Sequence, residues 1–148
     1  MSIKTQQKHM KRLAELVVQD LTYIGGSRES GPNGAKKEYL QTGKTFLRAM
    51  AKDLGFIESK IFAMPGGIGV GGDIVMMGMW NDGSGIYVLL HPDDFTGCIM
   101  YRRIRHLKDF HGDRNRHLMR GYLLRSYDEL LEKFLELKRE GESDARAA

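Results

Sequence analysis

Two apolar runs joined by a tight turn constrain this chain more than any other feature: Asp73-Ile74-Val75-Met76-Met77-Gly78-Met79-Trp80, then Asn81-Asp82-Gly83-Ser84-Gly85, then Ile86-Tyr87-Val88-Leu89-Leu90. Turn formers between two runs of strand length predict a β-hairpin. Both strands are apolar on both faces. Ile74, Met76 and Trp80 alternate with Val75, Met77 and Met79, and Ile86, Val88 and Leu90 alternate with Tyr87 and Leu89. A strand wetted on one side alternates polar with apolar residues, so this hairpin needs cover on both sides. Either helices lie on both faces of its sheet, or a second subunit covers one.

The flanking sequence extends the sheet. Ile57 to Met64 reads as a strand before the hairpin, and Cys98 to Arg105 as another after the turn His91-Pro92-Asp93-Asp94-Phe95-Thr96-Gly97. Short links between consecutive strands favour antiparallel neighbours, because parallel pairing needs long crossovers. His117 to Arg125 is expected to hold a short edge strand, with Tyr122-Leu123-Leu124 as its apolar part.

Three segments carry helical periodicity. In residues 5–20, Met10, Leu13, Ala14, Val17 and Leu21 recur at three- and four-residue spacing. Leu21 to Ile24 then reads as extended, and 25–34 as a loop dense in turn formers. The second helix runs from about Ala35 to Leu54, with Gly55 placed to cap it in a left-handed conformation. Gly43 lies on its apolar stripe, which predicts a close approach by a neighbour. The third begins at Ser126, an N-cap with Glu129 three residues on, and buries Tyr127, Leu130, Leu131, Phe134, Leu135 and Leu137. The predicted fold is a single α+β domain over residues 1–140. It has two N-terminal helices, a meander-like antiparallel sheet of four to five strands and one C-terminal helix, with a flexible tail at 141–148.

Length and composition agree with one domain: 148 residues, 41% hydrophobic and 28% charged. Cys98 is the single cysteine, so no internal disulfide forms, as suits a reducing cytosol. No signal-peptide core and no apolar run of membrane-spanning length occurs, and a cytoplasmic location is expected.

Several motifs suggest chemistry and fail on spacing. Gly43-Lys44-Thr45 resembles the end of a phosphate-binding loop, but Glu38 stands where that loop needs glycine, and the residues fall inside a helical pattern. The run Met64-Pro65-Gly66-Gly67-Ile68-Gly69-Val70-Gly71-Gly72-Asp73 leads into a strand, where a dinucleotide fingerprint would lead into a helix. It reads as a wide hairpin connection. His106, His111 and His117 match no compact zinc spacing, and their arginine neighbours oppose a divalent cation, so neither a metal nor a cofactor is assigned. His91-Pro92-Asp93-Asp94 lacks the following Glu-x-Lys strand of a metal nuclease and reads as a turn.

Charge gives the functional lead. Residues 101–125 hold eight Lys/Arg against two Asp, a net +6, on a chain of net +4. Such a concentration of positive field marks a site for a polyanion. In the strand from Cys98, a row of Cys98, Met100 and Ile104 interrupted by Arg102 is expected to face inward. Tyr101, Arg103 and Arg105 are then expected on the exposed side. The candidate surface comprises Arg102, Arg103, Arg105, Lys108, Arg114, Arg116 and Arg120 for phosphates, with Tyr101 and Phe110 for base stacking. Nucleic-acid binding or phosphate recognition is the leading expectation. A protein-binding adaptor or inhibitor acting as a homodimer is the alternative, from the two-faced hairpin. A small phosphodiesterase or nuclease using His111, Asp113 and Arg114 is the third.

Overall fold

The computed structural model describes residues 3–17, 35–64, 73–92, 98–112 and 114–147. Helix α1 spans Ile3–Val17 and α2 spans Ala35–Asp53. Strands β1 (Glu58–Ala63), β2 (Ile74–Met79), β3 (Gly85–Leu90) and β4 (Ile99–Ile104) follow. Strand β5 (Arg116–Leu118), a 3₁₀ turn (Arg120–Leu124) and helix α3 (Tyr127–Ala147) complete the chain. The expected segments at 21–24 and 25–34 lie outside the described residues; α3 continues through 141–147, where a flexible tail is expected, and the side chains there are not described.

The sheet is antiparallel, in the order β1-β2-β3-β4-β5, so each strand pairs with its neighbour in sequence. Ala63 pairs with Ile74, and the Met64 N–H donates to the Asp73 carbonyl at 2.9 Å. The glycine-rich run therefore joins two antiparallel neighbours as a hairpin connection; residues 65–72 themselves are not described. The fifth strand falls earlier than expected. Tyr122-Leu123-Leu124 is not its apolar part but lies in the 3₁₀ turn, with Leu123 buried and Leu124 exposed. Three consecutive apolar residues carry no period, and here Leu123 is buried, Tyr122 packs half-buried on the core and Leu124 faces out.

All three helices pack on one face. The main core joins Met10, Leu13 and Leu16 of α1, Phe46 and Met50 of α2, and Tyr127 and Phe134 of α3 to Met76, Val88 and Tyr101 of the sheet. Gly43 meets β2 closely, since a Cβ there would collide with Ile74, as its place on the stripe predicts. The end of α2 is fixed twice. Gly55 has φ 76°, Gly55 N–H bonds the Lys52 carbonyl and Phe56 N–H the Ala51 carbonyl, the two bonds of a Schellman cap. Trp80 Nε1 then donates to the Leu54 carbonyl at 2.7 Å. At the other end Ser126 Oγ accepts from the Glu129 N–H at 3.2 Å, capping α3.

The opposite face is closed differently. Val75, Met77, Tyr87 and Ile104 form a second buried cluster, and among the described residues no helix packs against it. Leu107, from the chain leaving β4, packs on it instead. The two-faced hairpin is thus covered by helices on one side and, over this cluster, by the chain after β4.

Gly78 tests the helix-side packing, because the Phe56 ring occupies the space a Cβ would need there. Phe56 is itself packed on Trp80 at 5.2 Å between ring centroids. Gly78→Val is expected to destabilise the protein by about 1–3 kcal/mol through overpacking, read as a lower urea midpoint at unchanged slope.

Candidate nucleic-acid interface

Register decides which β4 residues are available. Tyr87 pairs with Arg102 and Val88 with Tyr101, placing Tyr101 on the helix side and Arg102 on the second face. This reverses the expected orientation. Tyr101 is 2% exposed and packs on Phe134 at 5.3 Å, so its ring offers no stacking surface. Arg102 is 3% exposed, with its guanidinium 4.4 Å from the Tyr87 ring centroid. The misassignment has a plain cause. β4 carries apolar residues at both parities, so alternation alone cannot say which row meets the helices.

One buried carboxylate ties together the chain from Arg102 to His111. Asp109 is 8% exposed. Its Oδ2 accepts from the Arg105 N–H at 3.1 Å, and its Oδ1 from the His111 N–H at 3.3 Å. Its backbone carbonyl accepts from Arg102 Nη2 at 3.0 Å, and Arg102 Nη1 stands 4.0 Å from Oδ1. Burial pushes the Asp109 carboxyl up. The two N–H donors, with the Arg105 guanidinium, outweigh that and hold it below the ordinary aspartate value. Inside the loop, Asp109 N–H bonds the His106 carbonyl and Phe110 N–H the Lys108 carbonyl, both at 3.1 Å.

With Asp109 turned inward, the neighbouring side chains turn outward. The Arg105 side chain is 82% exposed, and His106, Lys108, His111 and Arg114 are exposed. Phe110 is 56% exposed. Lys60 of β1 places its Nζ 5.0 Å from the Phe110 ring centroid and 5.6 Å from that of Phe62. Arg114 has φ 60°, a left-handed turn position.

A cleft of about 520 Å³ adjoins this loop. Ile57, Met79, Trp80 and Leu107 give its lining apolar surface, and Arg105 and Lys108 add two cations beside the His106 imidazole. Glu58, Asn81 and Gly83 complete the lining.

Of the residues singled out by charge, the fold gathers Arg105, Lys108 and Phe110, with His111 and Arg114 further along the same loop. It sends the others elsewhere. Arg103 is half-buried on the helix side, cross-strand from Ile86. Arg116 is bound to Glu140 of α3 at 2.7 and 3.1 Å, and Arg120 is half-buried in the 3₁₀ turn. Asp113, one of the three residues considered for hydrolysis, lies outside the described residues. Sequence reasoning missed Lys60, Ile57 and the cleft. Lys60 did leave a signal, as the one cation between Lys52 and Arg102, two residues before Phe62 on a strand. It also missed the half-buried pair His91 Nδ1–Asp73 Oδ1, 2.5 Å apart at the far end of β2 and β3.

Among the described residues no three His, Cys, Asp or Glu side chains are grouped to hold a metal ion, and no helix is long and apolar enough to cross a membrane. The chain matches no protein-family model, no curated protein and no solved structure.

Asp109→Ala leaves the Arg102 guanidinium buried without its carboxylate. It is expected to cost about 3 kcal/mol in urea unfolding. Because the folded-state value of Asp109 is depressed, its contribution is complete above the unfolded carboxyl value, about 3.9. It disappears as pH falls through the lower folded value. The stability gap between wild type and Asp109→Asn should therefore be widest near neutrality and shrink below about pH 4.

Proposed function

We propose that this protein is a small cytoplasmic nucleic-acid-binding module that grips phosphates with the loop following β4. The observation that carries this reading is the inward turn of Asp109. Asp109 meets Arg102 with its backbone carbonyl and its carboxylate inside the fold, while Arg105, whose Nε lies 3.5 Å from Asp109 Oδ2, keeps a largely exposed side chain beside the exposed Lys108 and Arg114. A preorganised set of exposed cations loses little entropy on meeting a polyanion, and arginine offers a planar fork to phosphate. Phe110, exposed beside them, supplies an aromatic surface of the kind that stacks on bases. The reading narrows the phosphate-contacting set from seven cations to those the loop presents.

Fluorescence polarisation against short oligonucleotides tests it. Three engaged phosphates predict a log–log salt slope of about −2 to −3. Arg105→Glu with Lys108→Glu should weaken binding at low salt at least about tenfold and flatten that slope by about 2. Affinity indifferent to salt, or unchanged in the double variant, counts against the reading.

A second reading, the homodimeric protein-binding adaptor, is favoured by the edge of the sheet. The Met64–Asp73 bond sets the phase of the ladder, so even-numbered residues of β1 bond β2, while Ser59, Ile61 and Ala63 turn their backbone groups outward. No strand covers that edge among the described residues, and Ile57 beside it is 70% exposed. An open edge is a template for another strand. On this reading light scattering at about 100 μM gives a dimer, and Ser59→Pro, which removes only an outward N–H, gives a monomer. A monomeric wild type at that concentration removes the dimer.

A further inference from the structure

We infer that the cleft beside the loop receives an unpaired nucleobase, so that the nucleic acid engaged is single-stranded; this rests on the polyanion reading of the same loop. The cleft's lining combines apolar and cationic groups, as a nucleotide combines a base and a phosphate. Ile57, Met79 and Leu107 offer apolar surface for a flat ring, and Arg105 and Lys108 in the same lining offer cations for its phosphate. Its volume of about 520 Å³ is that of a small-molecule site, ample for one heteroaromatic base. Trp80 stiffens the apolar surface, since its indole is fixed by the Leu54 carbonyl and the Phe56 ring. Glu58 and Asn81 supply polar groups in the same lining, suited to the hydrogen-bonding edge of a base.

A duplex cannot use such a cleft. Its base faces are stacked on one another, and its edges are recessed in the grooves. An unpaired base exposes a π-face and an edge together, and single-strand binders meet that face with side chains rather than reading a groove.

The second aromatic contact fixes the path. Glu58 lines the cleft, and Lys60, two residues along the same face of β1, holds Phe110 and Phe62. On the loop Lys108 lines the cleft, and Phe110 again stands two residues on. Two strand residues cover about 6.6 Å. That is about twice the 3.4 Å rise between stacked bases. A nucleic-acid strand that follows this step of β1, with one base in the cleft and the next on Phe110, is unstacked and extended between them. Its backbone would run past Arg105 and Lys108, with the Lys60 ammonium beside Phe110 facing the next phosphate.

The test compares four fluorescein-labelled 12-mers at one low salt concentration: single-stranded DNA, single-stranded RNA, duplex DNA, and an abasic single strand with the same phosphates. Ile57→Ser and Phe110→Ala are run beside wild type; both positions are largely exposed, and unfolding curves check that each variant is folded. The expected result is that one or both single strands bind at least about tenfold tighter than the duplex and the abasic strand. Each variant should drop that affinity toward the abasic value while leaving abasic binding unchanged. Equal affinity for all four ligands, lost in Arg105→Glu with Lys108→Glu, overturns the base site and leaves polyanion binding standing. Tight single-strand binding unmoved by Ile57→Ser and Phe110→Ala also overturns it. No binding of any ligand overturns both.

Discussion

Arg102 stands where the second face of the sheet would otherwise be apolar, and the arrangement around it depends on how that charge is met. A guanidinium with 4% of its side chain exposed is costly to desolvate. The cost is offset by the Tyr87 ring beneath it, by the Asp109 carbonyl and by the Asp109 carboxylate. To bring Asp109 there, the chain leaving β4 must turn back over the sheet. That turn lays Leu107 on the cluster of Val75, Met77, Tyr87 and Ile104. One buried charge thus accounts for the cover of the second face and for the shape of the loop that carries the candidate site. The same carboxylate accepts the Arg105 and His111 N–H groups, which sets the direction in which the side chains between them point.

The helix side is held by a different device. Two adjacent glutamines of α1 are used as backbone partners. Gln6, fully buried, donates to the Phe46 carbonyl of α2 at 2.9 Å. Gln7 donates to the Arg125 carbonyl at 2.6 Å and accepts from the Tyr127 N–H at 2.7 Å, closing the chain just where α3 begins. Tyr127 in turn packs edge-on against Phe46 and donates its hydroxyl to Asp53 at 2.6 Å. Hydrophobic periodicity brings α1, α2 and α3 to the sheet. The amide bonds add direction, since a glutamine side chain that must be satisfied fixes one helix against the next.

How much of this could be read beforehand follows the length scale of the physics involved. Local chemistry was legible: the capping serine of α3, the left-handed Gly55, the close approach at Gly43 and the antiparallel meander all rest on residues a few positions apart. Placement across the sheet was not. Tyr101 and Arg102 exchanged roles because β4 is apolar at both parities, and only packing against Phe134 decides which row is inside. The net charge of residues 101–125 located the loop correctly but overstated its surface. Charge counting cannot see that Arg116 is engaged by Glu140, twenty-four residues away. The cleft was invisible for the same reason, since Ile57, Met79 and Lys108 come from three separate parts of the chain.

The order of the strands has a further consequence during synthesis. Every strand lies beside its predecessor, so each ladder can form as soon as its second member leaves the ribosome, with small loops to close. The seam made by Gln7 is the opposite case. Its partners at Arg125 and Tyr127 lie 118 and 120 residues downstream, near the end of the chain. Until they emerge, the apolar stripe of α1 lacks the partner that α3 supplies. The nascent protein is therefore expected to pass from a largely paired sheet to the closed domain in one step, when α3 arrives.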